Sequence, residues 1–155
     1  MPEWRIHDKW AKKMGISEDI SNFVNNLIDF PRRCREFQEF CNRDLGARIF
    51  RGGRATHMNI GPIIEHDFGR RKRFARESQS GFLSQKGKDY LVAYYLHQIL
   101  DYISWWCKNY TDVNIEDILE NKRVQKKIGP SNSSEIQNIK HFILKNAEEV
   151  LQDCR

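Results

Sequence analysis

His97 and Asp101 stand one helical turn apart inside the longest apolar run of the chain, YLVAYYLHQILDYISWW, residues 90–106. Residues four apart share a helix face. Burying an imidazole and a carboxylate there is costly unless each is paired or ligates a cation. His66-Asp67 repeats the chemistry upstream, and His7 shares a stripe with Trp10 and Met14 that points it inward. Imidazole with carboxylate suits zinc, manganese, iron or nickel better than calcium. These residues therefore suggest a divalent metal site with His7, His66, Asp67, His97 and Asp101 as ligands or ligand-orienting groups. The competing reading is a buried histidine hydrogen-bonded to a carboxylate one turn away.

Arg70, Arg71, Lys72, Arg73 and Arg76 follow the His66-Asp67 pair directly. Arginine binds phosphate through its planar fork, so Arg70, Arg71 and Arg73 are candidate phosphate contacts. The bland alternative is a solvated helix face. The formal net charge is +5, a mild excess that is compatible with nucleotide or nucleic-acid partners. No P-loop, dinucleotide fingerprint, GxSxG elbow or zinc-finger spacing occurs, which removes those function classes.

A histidine near the N-terminus, a central His66-Asp67 dipeptide and the later Asp101 on a helix resemble the pattern of HD-type metal-dependent phosphohydrolases. Those are helical bundles around a buried divalent metal. The resemblance implies His7, His66, Asp67 and Asp101 as ligands. The His97-x-x-x-Asp101 spacing, with Trp4 and His7 near the start, is also similar to the zinc-dependent phospholipase C and single-strand nuclease group. That similarity implies Trp4, His7, His66, His97 and Asp101. Either spans roughly residues 4–107. The chain departs from the second pattern in lacking the additional histidines of a multi-zinc site.

The elements that must position these residues read as helices. The stripe over 5–14 stops at Gly15, a left-handed helix stop. Ser17 is an N-cap with Glu18 and Asp19 in the first turn, and Ile20, Phe23, Val24, Leu27 and Ile28 carry that helix to Asp29, read as a boundary residue. Pro31 breaks it. A third helix is expected over 32–45 and a glycine-rich loop over 46–61. A fourth helix follows from Pro62 to about Ser78, ended by Gly81. The main helix runs over about 87–108 and is apolar nearly all round, the mark of a central element. Asn114 caps a shorter helix to about Lys127, and a last helix opens at Ser133 or Ser134.

The expectation is an all-α single domain, residues 1–155, of about six helices around the aromatic-rich helix 87–108. A chain of 155 residues can bury about 70% of the surface its unfolded form exposes. The 39% hydrophobic and 30% charged content is ordinary for a globular protein. The four cysteines form no CxxC pair and read as reduced core residues of a cytoplasmic protein. No secretory leader precedes the first helix, and no stretch is long and clean enough to be a membrane span. The leading functional expectation is a metal-dependent hydrolase of phosphoester bonds in a nucleotide or nucleic acid. The alternatives are a non-enzymatic nucleic-acid-binding or regulatory protein, and a helical interaction or assembly module in which an oligomer buries Trp105-Trp106.

Overall fold

The computed structural model describes residues 3–40, 73–122, 124, 125 and 133–155, with the side chains of 73–78 excepted. The described residues are all-α and contain no strand. His66, Asp67, Arg70 and Arg71 lie outside the described residues. Arg73 opens a helix there, and its side chain is not described.

Helices α1 (Trp4–Lys13) and α2 (Glu18–Asp29) form an antiparallel hairpin. Gly15, at φ +81°, makes the left-handed step between them. The Ser17 side chain accepts from the Ile20 amide and starts α2, with Glu18 and Asp19 in its first turn. The expected third helix is divided. A 3-10 turn at Pro31–Arg33 precedes α3 (Arg35–Phe40), because Pro31 cannot continue the ladder of α2.

Helix α4 (Arg73–Lys86) passes straight through Gly81, where the sequence predicted an end. The tertiary contacts override the glycine: Phe82 and Leu83 just beyond it are buried, and Phe82 packs on Phe37 and Phe40. The real break is Gly87, at φ +140°. Beyond it α5 (Lys88–Asn109) follows the expected central helix within a residue at each end. Residues 93–104 of α5 are all buried. This helix packs against α1, α2 and α4, and against three later helices: α6 (Ile115–Glu120), α7 (Ser134–Lys145) and α8 (Ala147–Cys154).

Two further breaks were not expected. Helix α6 stops at Asn121, whose backbone is extended. The last helix divides at Asn146, where the side-chain amide donates to the Phe142 carbonyl and the backbone leaves the helix. The apolar residues at helical spacing here, Ile136, Ile139, Ile143, Ala147, Val150 and Cys154, nevertheless face the core on both halves, all buried except the half-buried Ala147. Helix α8 is tied back to α1 at the surface. Trp10 Nε1 donates to Asp153 at 2.9 Å, and Lys9 and Lys13 pair with Glu149 and Asp153. These pairs hold the exposed ends in register rather than supplying much stability. None of the described helices is long and apolar enough to cross a membrane.

Candidate metal centre

The hairpin of α1 and α2 packs against α5. This contact brings His7 from the first turns of α1 against His97 and Asp101 in the middle of α5. All three side chains are buried, with exposures of 3%, 2% and 0%. One candidate ligand atom from each lies within 4.8 Å of the others.

His7 Nε2 is 3.5 Å from Asp101 Oδ1, and His97 Nε2 is 3.4 Å from Asp101 Oδ2. Among the described residues neither imidazole Nε2 has a partner at ordinary hydrogen-bond distance. Those separations are long for a charge-assisted hydrogen bond, which falls at about 2.7–2.9 Å. They bring the two imidazoles to different oxygens of one carboxylate, an arrangement that a divalent cation could bridge. Two imidazoles and one carboxylate form a donor set that zinc accepts, with a fourth position left open.

The opposite edges of the two rings also meet. His7 Nδ1 lies 2.6 Å from His97 Nδ1, with the rings nearly perpendicular at 81°. His97 Nδ1 is also 2.8 Å from Asn25 Oδ1. Burial pushes the pKa of His97 down to about 4, helped by the neighbouring His7 and opposed by Asp101. His97 is therefore neutral near pH 7, the form that ligates a metal.

The hairpin supports this cluster from behind. Asp8 Oδ1 accepts from Ser21 Oγ at 2.5 Å and from Asn25 Nδ2 at 2.9 Å. Farther along the hairpin, Trp4 Nε1 donates to Asp29 Oδ2 at 2.6 Å. The contacts Asp8–Ser21, Asp8–Asn25 and Trp4–Asp29 descend in the order an antiparallel pair requires.

Of the five predicted ligands, the structure therefore brings together His7, His97 and Asp101. Trp4, implied by the phospholipase and nuclease resemblance, holds Asp29 and does not join the three. On the face of α5 that carries Tyr90, Tyr94, His97, Asp101 and Trp105, the middle three are buried, Tyr90 is half-buried and Trp105 is 42% exposed.

Sequence reasoning missed Asn25 and gave Asp29 too little weight. Asp29 ends α2, as expected of a boundary residue, yet its charge is felt at His97, where it favours the protonated ring. A signal for Asn25 was present. Asn25 follows Val24 and precedes Leu27 and Ile28, and a polar residue at the edge of such a stripe needs a buried partner. Comparison with protein-family models, curated proteins and solved structures gives no match, so what the chain does is read from the His7–His97–Asp101 cluster itself.

Proposed function

We propose that the chain is a metal-dependent hydrolase of phosphoester bonds, acting on a nucleotide or nucleic acid, with a divalent cation held by His7, His97 and Asp101. The observation that carries this reading is the spacing of the three side chains. Residues from two helices far apart in sequence converge with both imidazole Nε2 atoms facing one carboxylate at 3.4–3.5 Å. When bound, a divalent cation at such a site polarises a phosphoryl oxygen and activates water at neutral pH. The chain's own part is to hold the cation, keep His97 neutral and exclude bulk water from the ligands. In this reading His66 and Asp67 add ligands and Arg70, Arg71 and Arg73 hold phosphate, on the strength of the sequence alone.

The near-complete burial of the cluster favours a second reading, a structural cation that only clamps α1 to α5. One experiment separates the two. Purified protein is analysed for bound metal, then assayed with bis(p-nitrophenyl) phosphate and nucleoside triphosphates in added zinc, manganese or nickel. Hydrolysis that chelation and His97→Ala both abolish is the expected result. A stoichiometric metal without hydrolysis supports the structural clamp. No bound metal and no response to added metal defeats both.

A further inference from the structure

We propose that Asn25 and Asp8 are positioning residues that fix His97 as its Nδ1-protonated tautomer and so present its Nε2 lone pair toward Asp101 and a cation. The proposal deepens the metal-centre reading above and rests on it.

A proton count assigns the tautomer. Asp8 Oδ1 accepts from Ser21 Oγ at 2.5 Å, so the carboxylate is held in place on the hairpin. A carboxylate oxygen only accepts, so the Asn25 group facing it at 2.9 Å is the amide NH2. The Asn25 carbonyl is thereby turned toward His97. A carbonyl oxygen also only accepts, so His97 Nδ1, 2.8 Å away, must carry the hydrogen. A lone pair on His97 Nδ1 would face the Asn25 oxygen across that distance and be repelled, whereas a hydrogen there leaves His7 Nδ1, 2.6 Å from the same nitrogen, as an acceptor. The neutral ring then has its lone pair on Nε2, which faces Asp101 Oδ2 at 3.4 Å.

Asn25 is itself only 1% exposed, so water does not compete for this bond. A flipped Asn25 would turn its carbonyl on Asp8 and its NH2 on His97, opposing both contacts at once. The amide thus transmits the acceptor character of Asp8, on α1, to a ring on α5. Partners that donate to or accept from the far nitrogen of a ligating histidine fix its tautomer and typically change metal affinity by about 10–100-fold.

The test has two readouts. Two-bond 1H–15N spectra of labelled protein report the tautomer of each histidine without any metal. Titration with Co²⁺, followed by its visible absorption, reports affinity. Wild type should show His97 with hydrogen on Nδ1. Asn25→Leu should give a mixture of tautomers and bind Co²⁺ about 10–100-fold more weakly. Asp8→Asn, at a half-buried position, should shift both readouts in the same direction by less, because the introduced amide can face Asn25 either way. It also serves as the test if Asn25→Leu does not fold.

Hydrogen on Nε2 of His97 in wild type would overturn the proposal. So would unchanged Co²⁺ affinity in both variants. The expected tautomer in a wild-type protein that binds no Co²⁺ would support the hydrogen-bond assignment and overturn the cation reading alone.

Discussion

His7 Nδ1 and His97 Nδ1 lie 2.6 Å apart, across ninety positions of sequence. That separation holds one hydrogen and no more. A cation on both Nε2 atoms would leave a hydrogen on each Nδ1, and the two would collide. Loading must therefore swing the rings apart on that side. A crystal structure with zinc bound should show the Nδ1 atoms beyond the hydrogen-bond limit of about 3.2 Å, with His97 still on Asn25. Both Nε2 atoms ligating with the Nδ1 atoms still 2.6 Å apart would contradict this proton count.

Acid should act on the same ring. The ordinary pKa of histidine is 6.5, and that of His97 is lowered to about 4 in the fold. Between those values the unfolded chain binds a proton that the folded chain does not, so stability rises with pH across that window and is lost as pH falls through it. The loss from this one group is on the order of 3 kcal/mol. Denaturant melts of wild type and His97→Gln from pH 7 to pH 4 measure it. The variant should lose less stability than wild type over that range. Parallel losses would mean that His97 is not held neutral.

Gly81 supplies a test of the packing around α4. Among the described residues, a Cβ built there meets Phe40 Cζ, at an ordinary 3.7 Å. The residue is inside a helix with φ in the normal range. Gly81→Ala should therefore raise stability by roughly 0.5–1 kcal/mol, through helix propensity and a less free unfolded chain. A lower melting temperature would show that the helix does not run through position 81 as described.

Much of the fold was legible because apolar spacing and caps agree locally. Gly15 and Ser17 mark one turn unambiguously, and the run from Lys88 to Asn109 is too apolar to be anything but central. The misread boundaries were decided elsewhere in the structure. Gly81 stays helical because Phe82 and Leu83 are needed in the core beside Phe37 and Phe40. Asn146 breaks a continuous stripe because its amide takes the Phe142 carbonyl.

The site followed the same division. His97 and Asp101 were visible as a pair, since helix geometry puts them on one face. His7 was visible as inward-facing from its stripe. That His7 meets the other two is a tertiary fact, set by how the hairpin lies on α5. Asn25 was visible only as a polar residue beside an apolar stripe; its two partners, Asp8 and His97, come from different helices and are tertiary facts too.

Asp101 is fully buried between two imidazoles, and a cation held there would depend on its charge. The most direct measurement is a thermal melt of wild type and Asp101→Asn, each with and without zinc. Asparagine keeps the size and removes the charge that would offset a cation. Zinc at 100 times its dissociation constant stabilises a binding protein by about 2.7 kcal/mol. For a chain of this length that is a rise of roughly 5–10 °C. Wild type should show that rise. Asp101→Asn should show none. Identical wild-type melting temperatures with and without metal, or an equal zinc response in Asp101→Asn, would contradict a metal centre at His7, His97 and Asp101.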